Sequence, residues 1–211
     1  MARKPADKSV NRDEIIEAAA EILQRSGYEA ATMKDIAAAV NLTAASLYHH
    51  FRNKDALMLA VLEVGLEFIL SRIEPVATSS LLPDEKLRRM IEYHIVGVTE
   101  NRAVGAAMVF EIRALMNIKP AAGEPTSGDD ILARRDAFFT RRDHFEALFR
   151  QVVREGVECG SFRAIDVPIF VKLLLGAHNW VGVWYKPDGR LDGREVAARM
   201  TDMLLHGVLA R

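Results

Sequence analysis

Residues 32–51, TMKDIAAAVNLTAASLYHHF, carry two short helical patterns with a turn of about three residues between them, the spacing of a helix-turn-helix. Thr32 can cap the first helix, Met33 to Val40, by accepting from an otherwise unpaired N–H. Asn41 then stands where the chain must turn left-handed to leave that helix, a conformation asparagine tolerates. Thr43 can cap the second helix, which ends near His50. Ile36, Ala37, Val40, Leu42, Leu47 and Phe51 fall on the side that must pack against another helix, and the small Ala37, Ala38 and Ala39 let the helices approach. Ala44, Ala45, Tyr48 and His49 are left on the outer side of the second helix, the side that a DNA major groove receives in this kind of unit.

Upstream, Asn11 followed by Glu14 is the pattern of a capping box, and it opens a helix with Ile15, Ile16, Ala19, Ile22 and Leu23 on one face and Gly27 as its stop. Downstream, Asn53 caps a longer helix through Leu57, Val61, Val64, Phe68 and Ile73 until Pro75 stops it. Ala77 to Leu82 reads as a linker. Further helices are expected near Asp84 to Glu100, Val104 to Ile118, Asp130 to Glu158, Val167 to Tyr185 and Arg194 to Leu209, with Pro120 to Asp129 as a surface loop. Asp166 before Pro168, and Asp192 with Glu195, mark two of those helix starts. The fold class is therefore all-α, with about nine helices. A basic arm (residues 1–10, with Arg3, Lys4 and Lys8) precedes a three-helix domain (11–55) and a larger helical domain (56–211).

Composition agrees with that reading. Half of the residues are apolar, enough for a sizeable core, while seven prolines and thirteen glycines are few for a chain of many short strands. The net charge of -1 gives nucleic-acid binding no global support, so any such role must rest on a local patch. A lone Cys159 fits a reducing compartment and excludes both an internal disulfide and a multi-cysteine zinc site. The first dozen residues are polar and no segment offers about 18 uninterrupted apolar residues, so a soluble, cytoplasmic protein is expected. No H-E-x-x-H, glycine-rich phosphate loop or G-x-S-x-G occurs, and His49 and His50 point about 100° apart on a helix. Neither an enzyme, a metal site nor a cofactor is expected.

The run LYHHFRNK, Leu47 to Lys54, closely resembles the end of the recognition helix in the TetR/AcrR family of repressors, over roughly residues 11–60. The resemblance implies that Thr43, Ser46, Tyr48, His50 and Lys54 contact phosphates of double-stranded operator DNA, while Ala44, Ala45 and His49 face base edges. Thr32 and Lys34 would lie at the phosphate backbone where the preceding helix starts. Many relatives have Lys or Arg followed by Gly where this chain has Ala44 and Ala45, so thymine-methyl contact or shape readout by the arm must carry more of any specificity. On residues alone, Tyr48 and His50 could also be packing or solvated groups, and the arm a solvated terminus.

In the second half, IFVKLLLGAHNWVGVWY, Ile169 to Tyr185, is apolar nearly all round, interrupted by Lys172, His178 and Asn179. Such a helix needs cover on more than one side. The following helix adds a stripe through Val196, Met200, Met203, Leu204 and Val208, and together they suggest a four-helix interface across a two-fold axis. The family resemblance implies the same: a homodimer through the last two helices, and a small-molecule effector held between helices. Polar residues set among apolar ones are the candidates for that pocket: His94, Glu111, Arg113, Asn179 and Trp180. The pattern from Asn179 to Leu209 is similar to the branch of the family that governs fatty-acid and steroid breakdown, which implies an acyl-CoA effector and a role for Arg141 or Arg142 at the pocket mouth. A helical protein-binding adaptor without an operator remains the alternative reading.

Overall fold

The computed structural model describes residues 10–118 and 131–210, so all of the basic arm except Val10, and the whole Pro120 to Asp129 loop, lie outside the described residues. The described residues form ten helices and no strand: α1 (Arg12–Ala30), α2 (Met33–Ala39), α3 (Ala44–His50), α4 (Lys54–Ala77), α5 (Pro83–Glu100), α6 (Arg102–Phe110), α7 (Ile112–Met116), α8 (Ile131–Glu158), α9 (Val167–Trp184) and α10 (Gly193–His206). The caps fall where the sequence places them. Asn11, Thr32, Thr43, Asn53, Asp166 and Asp192 each accept the backbone N–H three residues on, and Asp192 with Glu195 completes a reciprocal capping box.

Three expectations change. Gly27 does take a positive φ of 72°, but it kinks α1 rather than ending it, and one more turn runs on to Ala30. Pro75 lies inside α4, which continues to Ala77 because Ile73 and Ala77 on either side are fully buried and their packing offsets one lost backbone bond. The single helix expected from Val104 to Ile118 is two helices, α6 and α7, meeting at the buried Glu111. An isolated antiparallel bridge, Phe162 to Leu209, also ties the chain end back to the turn after α8. Gly156 makes room there, since a Cβ on it would meet the Phe162 ring.

The long helix α4 is the spine. It packs on α1 at one end and on α5, α6 and α8 along its length, while α5 is covered in turn by α8, α9 and α10. One apolar core therefore runs from Ile15, Ile36 and Leu47 in the three-helix head, through Leu57, Leu62 and Ile73 of α4, to Leu87, Phe149 and Leu174 in the body. A second joint between head and body is made by α6, which packs directly on α1.

Candidate nucleic-acid interface and effector cavity

Asn41 has the left-handed φ of 57° that the turn requires, and the Leu42 N–H returns to the Ala37 carbonyl at 2.8 Å. Of the three alanines only Ala37 is buried. Ala38 and Ala39 face solvent, so the close approach rests on one small residue rather than three. Leu47 and Phe51 anchor α3 in the core. On its other side Thr43, Ala45, Tyr48, His49 and His50 are exposed, Ala44 and Ser46 are half-buried, and Tyr48 shows 52% of its surface. Thr32 and Lys34 are exposed at the start of α2. The Thr43 hydroxyl accepts the Ser46 N–H at 3.1 Å and sits 2.9 Å from the Ser46 hydroxyl, which fixes the first turn of α3.

Lys54 is placed differently from the phosphate contact that the resemblance implied. Its ammonium donates to the carbonyls of Tyr28 at 2.7 Å and Ala31 at 3.1 Å, and lies 4.1 Å from the centre of the Tyr28 ring. The carbonyl-bearing end of α1 is where a helix holds partial negative charge, so a half-buried cation is stabilised there. The Tyr28 hydroxyl donates to Asp55, and burial followed by that carboxylate pushes the phenol above its ordinary value. Lys54 thus clasps α1 to the start of α4. Glu111 comes to the same joint: burial raises its carboxyl, and the Tyr28 backbone N–H and the Lys54 charge partly oppose that rise.

The body encloses a cavity of about 280 Å³ among α4, α5, α6, α8 and α9. Its apolar wall comes from Leu66, Phe68 and Ile69 of α4, Val98 of α5, Val104 and Met108 of α6, Phe145 of α8 and Leu175 of α9. Gly65, Gly97, Gly105 and Gly176 leave the space open. At Gly65 a Cβ would stand 2.3 Å from Val104 Cγ1, so only glycine lets α4 and α6 meet there. Polar groups are few: His94, Asn101 and Asn179, with Arg142, Glu146 and Lys172. Glu146 is held by Arg150 and by Lys172 at 3.6 Å. Arg142 is exposed and makes no ion pair among the described residues.

Of the sequence candidates for this pocket, His94 and Asn179 line it. Glu111 does not; it belongs to the joint with the head. Arg113 is exposed and off the cavity, Arg141 pairs with Glu67 on the outside, and Trp180 faces outward beside Phe110 at 6.4 Å between rings. A step of one residue along α8 turns a side chain by about 100°, which is why Arg142 reaches the cavity and Arg141 does not. Lys172 and Glu146 were missed as lining residues. The sequence signal for Lys172 was its place among the three polar interruptions of α9, a feature it shares with His178 and Asn179.

On α9, Val171, Leu174, Leu175, His178, Val181 and Gly182 are buried, whereas Ile169, Leu173, Trp180 and Trp184 are 47–65% exposed along the opposite face. The stripe expected on the last helix divides: Val196 is buried within the chain, Met200 and Leu204 are half-buried and Met203 stands out, while Val208, also buried, lies just past the end of α10. By length and composition α9 could cross a membrane, but a third of it is buried against the body.

A helix-turn-helix head with an exposed outer face, joined through α4 and α6 to a helical body with a cavity, is the build of a DNA-binding regulator. Residues 15–61 match the family described as bacterial regulatory proteins, tetR family, and residues 132–208 match the tetracyclin repressor-like C-terminal domain. The chain belongs to the TetR family of DNA-binding transcriptional regulators. It is 27% identical over 206 residues to the HTH-type transcriptional repressor KstR2 of Mycolicibacterium smegmatis, across 97% of this chain and 93% of that protein. The TetR family transcriptional regulator PfmR from Thermus thermophilus shares 31% identity and superposes with a TM-score of 0.78, covering 95% of this chain and 100% of that one. AibR, solved in complex with isovaleryl coenzyme A and operator DNA, superposes with a TM-score of 0.75 at 25% identity, over 92% of this chain and 97% of that one.

Proposed function

We propose that this protein is a homodimeric repressor that holds operator DNA through α3 and leaves it when an acyl-CoA thioester occupies the cavity. The observation that carries the reading is that one element serves both ends. Helix α6 contributes Val104, Gly105 and Met108 to the cavity wall and packs on α1 of the head. A ligand that moves α6 therefore acts on the frame that aims α3. It shifts the equilibrium only by its difference in affinity for the bound and released forms. The acyl chain would take the apolar wall, and Arg142 with Lys172 would meet the phosphates at the rim. AibR, with its bound isovaleryl coenzyme A, supports that ligand class.

On DNA, Ala44, Ala45 and His49 would face base edges, and Thr32, Lys34, Thr43, Ser46, Tyr48 and His50 the phosphate backbone. The apolar face of α9, with Met203 of α10, would be covered by the second copy, which places two α3 helices for two successive major grooves. The test is retardation of a fragment from the protein's own upstream region, first across salt and then with isovaleryl-CoA and longer acyl-CoA thioesters. Retardation that weakens steeply with salt, and release by a thioester but not by free CoA, is expected. Retardation that no thioester reverses would remove the ligand half of the proposal.

A further inference from the structure

The cavity holds one polar arrangement that the acyl-CoA reading leaves unused. His94 lines it, and Nδ1 of His94 lies 3.2 Å from Nδ1 of His178, which sits behind it at 0% exposure. The two rings meet edge to face, 5.2 Å between centres, among Phe145 and Phe149. Among the described residues no third His, Cys, Asp or Glu joins the pair, and the 3.2 Å contact is that of a hydrogen bond. Burial drives His94 down to about 4 and His178 well below its ordinary value, with the His94 charge adding to the latter, so both rings are neutral near pH 7.

Between two neutral imidazoles one Nδ1 donates and the other accepts, and each ring keeps its second nitrogen for something else. Nε2 of His178 is buried without a partner. A sealed nitrogen with no acceptor in reach is tolerated more readily as a bare lone pair than as an orphaned N–H. That places the His178 proton on Nδ1, where it donates to His94, and leaves the His94 proton on Nε2. Nε2 of His94 has no partner among the described residues and is not among the sealed atoms, so it opens on the cavity that its ring lines.

We propose that the His94–His178 pair fixes His94 as a neutral N–H donor into the cavity, and that this donor selects effectors with an uncharged carbonyl oxygen over hydrocarbon of the same shape. The proposal rests on the effector reading of the cavity but is independent of coenzyme A. A neutral N–H donor beside Phe145 satisfies a ketone, ester or thioester oxygen but offers a carboxylate no counter-charge; the cavity's cations, Arg142 and Lys172, are exposed, whereas His94 is buried. Charged ends of the ligand stay with Arg142 and Lys172.

The test uses the whole chain with 15N-labelled histidine and a probe that carries no CoA. At pH 7, His94 is expected to be protonated at Nε2 and His178 at Nδ1. Millimolar 4-methylpentan-2-one is expected to shift the His94 Nε2–H signal, and its affinity relative to its isostere 2,4-dimethylpentane is expected to be about fivefold higher in the wild type than in His94→Phe, a ratio in which the different hydration of the two ligands cancels. His94→Gln, which retains a donor, should restore most of that preference. Should the phenylalanine variant not fold, the tautomers and the ketone-induced shift of the His94 signal decide. His94 protonated at Nδ1, or a ketone-to-alkane ratio unchanged by His94→Phe, would overturn the proposal. Failure of every acyl-CoA to bind, with the ketone preference intact, would sink the CoA assignment and support this one.

Discussion

The head and the body of this molecule present opposite problems. In the head, most of the residues proposed to meet DNA fall on the seven residues of α3, with Leu47 turned in and Tyr48 and His49 turned out, so packing and the proposed interface share one short helix. In the body, the cavity wall is drawn from five helices, and His94, which lines it, and His178, which holds it from behind, are 84 positions apart. The difference teaches that a surface contact is a local periodicity, while a cavity is what several separate periodicities fail to fill.

Four substitutions or conditions can break or sharpen that contrast. Leu47→Ala should act on the whole head, because the side chain is fully buried between α3 and its neighbours; a loss of about 2–4 kcal/mol by urea unfolding is expected, with operator binding lost alongside. An unchanged midpoint would mean that α3 is not anchored as described. The buried histidine pair should make stability depend on pH. Both folded-state values are lowered, so the unfolded chain binds more protons below about pH 6.5, and stability falls as pH drops from there toward about 4 for His94. Each histidine contributes about 1.4 kcal/mol per pH unit in that window, so the unfolding midpoint should fall between pH 7 and 5.5 and much less so in a His94→Phe, His178→Leu variant.

Lys54→Met separates a clasp from a DNA contact. If the ammonium secures the end of α1, stability should fall by about 1–2 kcal/mol while the salt dependence of operator binding keeps its slope. A slope lower by about one with unchanged stability would return Lys54 to a phosphate. The smallest effect on folding is expected for Tyr48→Ala, within about 0.5 kcal/mol, since the ring is largely outside the core. Operator affinity should nevertheless drop by about fivefold, as for a lost phosphate or base contact of about 1 kcal/mol.

The caps were legible in the sequence because a cap joins residues three apart: Thr32, Thr43, Asn53, Asp166 and Asp192 all act where their pattern predicts, whereas about nine helices were expected and the described residues form ten. What escaped was tertiary. Pro75 reads as a stop until the burial of Ile73 and Ala77 is known, and the break between α6 and α7 comes at Glu111, which is buried where the body meets Tyr28 of the head. Lys54 fits the family position for a phosphate contact, and only the fold shows the open carbonyls of Tyr28 and Ala31 within its reach. Within the cavity, His94 and Asn179 could be singled out as polar residues among apolar ones. Arg113 and Glu111 satisfied the same criterion, because sequence does not say whether such a residue faces a cavity, a domain joint or water.

The central claim is that cavity and operator compete for the position of α6 and α1. Calorimetric titration of isovaleryl-CoA into the free protein and into its saturated operator complex measures that competition directly. Binding at least tenfold weaker to the complex is the predicted result, matched by the same factor in operator affinity when the thioester is present. Equal affinity for the free and the DNA-bound protein would contradict the account.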